Sequence, residues 1–199
     1  MTRDDMAEAK RLFEAAIEHD PNSYMAHGGL AMALALPAGM GWVEDLRHNN
    51  EQGIRAAEQA LALDDHNALA YVALAMVQHV SRDNHAALVS CRKALELNPN
   101  FAFAEGLMGL VSAHQGDYRG ANAHLDNAVR LSPRDPTLSW VGLARVMAAL
   151  IADLPDEYLE RSKELTDKAP NMYVGWRHLA VAYMLQGRPE EAKAAIAQV

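Results

Sequence analysis

The stretch that decides the fold runs from Pro99 to Pro133 and reads Pro-Asn-Phe-Ala-Phe-Ala-Glu-Gly-Leu-Met-Gly-Leu-Val-Ser-Ala-His-Gln-Gly-Asp-Tyr-Arg-Gly-Ala-Asn-Ala-His-Leu-Asp-Asn-Ala-Val-Arg-Leu-Ser-Pro. Apolar residues recur in it at helical spacing in two runs, which Gly116 and Asp117 separate. The two terminal prolines are 34 residues apart, and a further step of 34 residues back reaches Asp65, at the end of a similar run. Two helices in each 34-residue period predict a stacked helical repeat.

Small residues occupy fixed places in this unit. With Ala102 as position 1, Gly109, Ala121 and Ala128 take positions 8, 20 and 27. Small side chains at these places allow the two helices of a hairpin to approach closely, and larger ones fill the space between hairpins.

This arrangement resembles the tetratricopeptide repeat, whose pattern is W-x2-L-G-x2-Y, then A-x3-F, then P. Trp176, Leu179 and Tyr183 belong to the best copy of the pattern, and looser copies include His27-x2-Leu30, Tyr71-x2-Leu74 and Trp140-x2-Leu143. The resemblance implies an all-α fold, a right-handed superhelical solenoid of antiparallel helix hairpins with about eleven helices.

The repeat divides the whole chain into one leading helix and five hairpins. The predicted boundaries are 1–20 for the leading helix, 22–65 for repeat one, 66–99 for repeat two, 100–133 for repeat three, 134–170 for repeat four and 171–199 for repeat five, which is incomplete. The predicted helices include Ala68–Val80, Asn84–Leu97, Tyr118–Leu131 and Pro155–Lys168, with Pro136 beginning the first helix of repeat four. Asp4 or Asp5 is the predicted cap of the leading helix.

Repeat one is ten residues longer than the 34-residue period and carries an insertion at 37–50. One proline and two glycines predict a loop there, and a short helical turn over 42–47 is left open. Trp42 in the insertion has two interpretations: it anchors a partner, or it folds back and covers apolar surface.

Composition excludes several classes of protein. The formal net charge is −8, which disfavours nucleic acid as a partner. No apolar run approaches the ~18 residues of a membrane span, and the N-terminus has no signal region, so a cytoplasmic location with no membrane association is predicted. Cys91, the one cysteine, takes a core position of its repeat, where a small buried hydrophobic residue is expected.

No enzymatic motif is present. The nearest approach to a phosphate loop, Gly39-Met40-Gly41, lacks the lysine of such loops. Nine histidines include no H-E-x-x-H pair, and His79 with His114 offers only two of the four ligands of a tetrahedral site. We therefore predict no catalytic site, no metal and no cofactor.

The resemblance implies a non-catalytic scaffold that binds a peptide or protein segment in a concave groove, lined by one side of each first helix. The alternative for any such residue is that it packs between repeats. The predicted partner-binding residues are Met32, Val72, Met76, His79, Phe103, Leu110, His114, Val141, Arg145, Arg177, His178 and Val181, with Met25, Leu69, Leu138 and Met184 on the same face.

Charge along this face predicts the kind of segment that binds. Arg145, Arg177 and His178 would make a cationic end for an acidic residue or a free C-terminus, because arginine favours bidentate contact with a carboxylate. The alternative is that the arginines turn to acidic residues of the second helices. The lysine and asparagine of the chaperone-binding members of the family are absent, with Val72 and Met76 in their places.

Two further interpretations concern context. The run from Gly41 to Asp64 is similar to the lengthened repeat of bacterial class III adenylate cyclase-type proteins and some winged-helix regulators. This similarity gives an alternative function, the regulatory or sensor region of a larger bacterial signalling protein. Ile196 and Val199 at one end, and Phe13 at the other, predict self-association through open ends.

Overall fold

The computed structural model describes residues 2–135 and 139–199, and these form eleven α-helices and no β-strand. The all-α class is therefore confirmed, whereas the predicted roles of Pro136 and Leu138 fall outside the described residues. In chain order the helices are α1 (Arg3–His19), α2 (Tyr24–Gly39), α3 (Leu46–Leu63), α4 (Ala68–Val80), α5 (Asn84–Leu97), α6 (Ala102–His114), α7 (Tyr118–Leu131), α8 (Ser139–Ile151), α9 (Pro155–Lys168), α10 (Tyr173–Leu185) and α11 (Pro189–Ile196).

The chain forms two compact units, Met1–Met108 and Gly109–Val199. In unit 1, α2 pairs with α3 and α4 pairs with α5, while α1 packs on α2 and α4 packs on both α2 and α3. In unit 2, α8 pairs with α9 and α10 pairs with α11, while α7 packs on α8 and α9 packs on α10. We call α2, α4, α6, α8 and α10 the first helices and their partners the second helices.

All five first helices end in the same turn. A backbone N–H just beyond each helix donates to the carbonyl five residues earlier, and the residue before that N–H has a positive φ, as in the Schellman motif. Gly116, with φ 83°, is one of these left-handed residues. The backbone N–H of the next residue, Asp117, donates to the carbonyl oxygen of Ser112 at 3.1 Å. The corresponding left-handed residues of the other four turns are Gly41, Arg82, Asp153 and Gly187.

Side-chain caps begin most of the helices. Asp83 and Asp117 accept backbone N–H groups at the starts of α5 and α7, and α9 begins instead with Pro155 at its first position. The predicted cap of α1 was wrong in part. Thr2 is the capping residue, and Asp5 completes a reciprocal capping box by accepting the backbone N–H of Thr2 at 2.6 Å.

The insertion in repeat one is mostly helical, so the predicted loop over 37–50 was wrong in its extent. The α2 helix has 16 residues against 13 for α4, and α3 has 18 against 14 for α5. The connection between α2 and α3 is six residues, three more than that between α4 and α5, so the ten extra residues are shared among all three parts. Pro37 is accommodated near the C-terminal end of α2, where its carbonyl accepts the N–H of Trp42 at 2.9 Å.

Small residues do bring the helices of a hairpin close together, as the repeat predicts. A Cβ atom on Gly109 would lie 2.9 Å from the backbone oxygen of Ala121 and 2.7 Å from Cγ of Leu125. The position therefore tolerates no side chain without movement of the backbone. Cys91 is fully buried, which confirms its predicted place in the core.

Candidate functional site

Three of the predicted partner-binding residues belong to the core. Val72, Met76 and Val141 are buried. Val141 lies in one cluster with Leu125 and Ala144. In this structure the alternative of packing between helices therefore applies to all three.

The other predicted residues of unit 1 are half-buried. Met32 packs against the alanine-rich cluster that includes Ala31 and Ala57. His79 lies in the last turn of α4, and its Nδ1 is 2.8 Å from Oδ1 of Asn84, at the start of α5. Phe103, in the first turn of α6, is also half-buried. The exposed apolar side chains of the same helices include Met25, which is 62% exposed, and Leu69, which is 38% exposed.

Arg145 turns to a second helix, as the alternative interpretation held. Its Nη2 lies 2.5 Å from Oδ1 of Asp126 in α7. Leu110 packs on the cluster around Leu125, and Nδ1 of His114 lies 2.9 Å from the backbone oxygen of Leu110. None of these three side chains is fully exposed.

One face of α10 remains open in unit 2. Tyr173, Arg177, Val181 and Met184 follow one another at helical spacing, and we call them the α10 stripe. Val181 is 48% exposed and Met184 59% exposed. The side chain of Arg177 is exposed and makes no hydrogen bond or ion pair to another described residue. Tyr173 was missing from the predicted residues, although its spacing of four from Arg177 places it on the same face.

His178, next to Arg177, points into the fold instead. Its Nδ1 lies 2.9 Å from the hydroxyl oxygen of Tyr158, and the two rings meet edge to face. Burial raises the pKa of Tyr158 to about 12, so the phenol keeps its proton and donates when the imidazole carries its proton on Nε2. Burial, and then the positive charge of Arg177, lower the pKa of His178.

This histidine predicts a pH-dependent stability. The unfolded chain takes up a proton at His178 near the ordinary pKa of 6.5, whereas the folded chain does so only at lower pH. The unfolded state therefore binds more protons, and this contribution makes the chain less stable as the pH falls below about 6.5. Urea unfolding at pH 7.5 and 5.5 tests this, with His178→Gln expected to lose less stability on acidification than the parent. Equal losses in both proteins would contradict the prediction.

Trp42 lies on unit 1 and is not fully exposed. The guanidinium carbon of Arg3 lies 5.8 Å from the centre of its ring, a cation–π distance. The indole is half-buried. Of the two interpretations of Trp42, the geometry favours the one in which the side chain folds back onto the fold, and not the one in which it is a free anchor for a partner.

Two adjoining cavities of unit 2 were not predicted. The first, of about 500 Å³, lies among α7, α8 and α9, and the second, of about 480 Å³, lies beside α7. Arg145 and Arg161 line both of them. In α9, Arg161 bonds to Glu157 and Glu164 at 3.2 and 3.1 Å. Their i, i+4 and i, i+3 spacings are visible in the sequence, but the cavities depend on packing between repeats.

Other chemistry is sparse in the described residues. Asp64, Asp65 and His66 are the one group there with carboxylate and imidazole atoms close enough for a metal ion, and they lie in an exposed turn. Burial raises the pKa of Cys91 to about 12, which keeps it a thiol. Of the described helices, none has both the length and the apolar character that crossing a membrane requires.

Family models of the tetratricopeptide repeat match residues 1–36 and 68–101. No curated protein sequence matches the chain significantly. These matches identify tetratricopeptide repeats in those two stretches, and the structural neighbours below show the fold.

Solved structures show the same fold. A tetratricopeptide repeat protein from Parabacteroides merdae has a TM-score of 0.68 at 18% identity, over 99% of this chain and 73% of that one. TTC0263, a thermophilic TPR protein from Thermus thermophilus, has a TM-score of 0.70 at 20% identity, over 90% of this chain and 91% of that one. YrrB, a TPR protein with an unusual peptide-binding site, has a TM-score of 0.55 at 20% identity, over 94% and 89%.

Proposed function

We propose that the protein is a non-catalytic interaction module that binds a segment of another protein along the α10 stripe. The observation that carries the proposal is the open face of α10, where exposed apolar side chains flank an arginine that has no ion-pair partner among the described residues. Exposed apolar patches of this kind mark binding surfaces. The peptide-binding site of YrrB supports the same class of ligand.

The chemistry of the stripe defines the segment. Val181 and Met184 suit aliphatic side chains, and methionine adapts its shape to different partners. Arg177 suits a carboxylate, from an acidic side chain or a free C-terminus. The expected ligand is therefore a short segment with apolar residues next to one acidic group.

Selection from a random peptide library tests the proposal. Peptides selected on the 199-residue chain are expected to combine aliphatic and acidic residues. Because a charge-assisted contact is lost, Arg177→Ala is expected to weaken the binding of the selected peptides about tenfold. Val181→Asp is expected to weaken them as well, because it places a negative charge beside the bound carboxylate.

Lys193→Ala is the matched control, because Lys193 is an exposed cation of α11 that lies outside the stripe. Selected peptides that bind Arg177→Ala and Val181→Asp as tightly as the parent would contradict the proposal. The alternative function, a regulatory region of a larger bacterial signalling protein, would use the same stripe against that protein's own domain. Self-association stays a prediction, with Ile196 and Val199 both exposed.

A further inference from the structure

The two adjoining cavities of unit 2 have a charge opposite to that of the chain. We call them together the cationic cleft. Five cationic and three acidic side chains line it, an excess of two positive charges, in a chain with a formal net charge of −8. The cationic residues are Arg119, Arg134, Arg145, Arg161 and Lys168.

The two shared arginines are held in different ways. Arg161 is fixed along α9, because its two terminal nitrogens bond to Glu157 and Glu164. Its Nε–H is buried and has no acceptor among the described residues. A buried donor without an acceptor is costly, so the Arg161 guanidinium beside the cleft carries one donor that its two glutamates do not satisfy.

Arg145 is paired with a carboxylate that can be replaced. The side chain of Arg145 is 20% exposed, whereas that of Asp126 is 73% exposed. Asp126 can therefore return to water with little loss, since exposed ion pairs contribute little to stability. A carboxylate from a ligand can take its place on the guanidinium.

The first cavity is lined by apolar as well as charged side chains. Val129, Val141 and Leu165 line it beside the charged groups. An aliphatic stem next to a carboxylate fits this combination, and a volume of about 500 Å³ lies within the usual range for ligand sites.

From these observations we infer that the cationic cleft binds an acidic segment of a polypeptide, with glutamate or aspartate carboxylates on Arg145 and Arg161. This is a second site, separate from the α10 stripe, and does not depend on the function proposed for that stripe. A nucleic acid is disfavoured, because it needs many phosphates neutralised and the excess here is two charges in an acidic chain.

NMR titration of the whole chain with the blocked peptide acetyl-Leu-Glu-Leu-Glu-Leu-amide tests the inference. The Arg Nε–H signals of the cleft are expected to shift, and the same peptide with glutamine for glutamate is expected to bind at least tenfold more weakly. Arg145→Gln and Arg161→Gln are each expected to weaken the binding of the glutamate peptide about tenfold. Lys193→Gln, at an exposed cation outside both the cleft and the α10 stripe, is the control that leaves this binding unchanged.

A gain-of-function variant separates binding from damage to the fold. Asp126→Asn removes the carboxylate that competes for Arg145, so this variant is expected to bind the glutamate peptide two- to threefold more tightly. Equal binding of the glutamine peptide, no loss with Arg145→Gln in a folded protein, or a loss with Lys193→Gln instead would overturn the inference. Tighter binding of inorganic phosphate or oligouridylate than of the glutamate peptide would also overturn it.

Discussion

Tyr158→Ala is expected to lower the free energy of unfolding of unit 2 by about 3–5 kcal/mol, the usual cost of removing a large buried aromatic side chain. Tyr158 is 1% exposed and packs in one cluster with Val146, Leu165 and Ala182. Its removal leaves a cavity among α8, α9 and α10 and takes away the hydroxyl beside His178.

Urea unfolding with circular dichroism measures this effect, and hydrogen exchange of the amides of α8, α9 and α10 locates it. Tyr158→Phe keeps the ring and removes only the hydroxyl, so its expected cost is smaller, about 1–2 kcal/mol. If Tyr158→Ala destabilises no more than Tyr158→Phe, the packing of the ring does not stabilise this cluster.

Leu125→Ala is the second large effect, with an expected loss of about 2–5 kcal/mol. Leu125 is fully buried and lies against Gly109 within the α6–α7 hairpin. It also contributes to the cluster with Val141 and Ala144, so one deletion opens both the hairpin and its contact with α8.

The control for this substitution is Leu185→Ala, because Leu185 is 60% exposed at the end of α10. Its expected change is within about 0.5 kcal/mol. The measurement is the urea midpoint at an unchanged slope. Similar losses from Leu125→Ala and Leu185→Ala would refute the placement of Leu125 in the core.

Sequence predicted the helices best where local signals agree. The bounds of α4, α5, α7 and α9 are confirmed because an Asn, an Asp or a first-turn proline begins each of them. The insertion was misjudged because Pro37 was interpreted as a helix breaker, although it lies near the end of α2, where the helical hydrogen-bond pattern gives way to the turn.

The binding residues were harder to predict because repeat position does not show which side of a first helix its neighbours cover. Val72 and Met76 have the positions of binding residues in the family, yet neighbouring helices bury them. The partner of Arg145 is Asp126, 19 residues away on another helix, and no local pattern selects it. The spacing of four residues between Arg177 and Val181 did indicate that they lie on one face of a helix, and both belong to the α10 stripe.

The lengthened hairpin of repeat one shows where residues can be inserted into a helical repeat. Both of its helices and their connection take a share of the added residues, and the same left-handed turn still ends α2, with Gly41 at φ 71°. The alanines nearer the base of the hairpin, Ala31 and Ala57, keep their place in the core of unit 1. Hairpin tips are therefore the natural points for length variation in evolution and for grafting loops by protein engineers, since material added there leaves the stacking register intact.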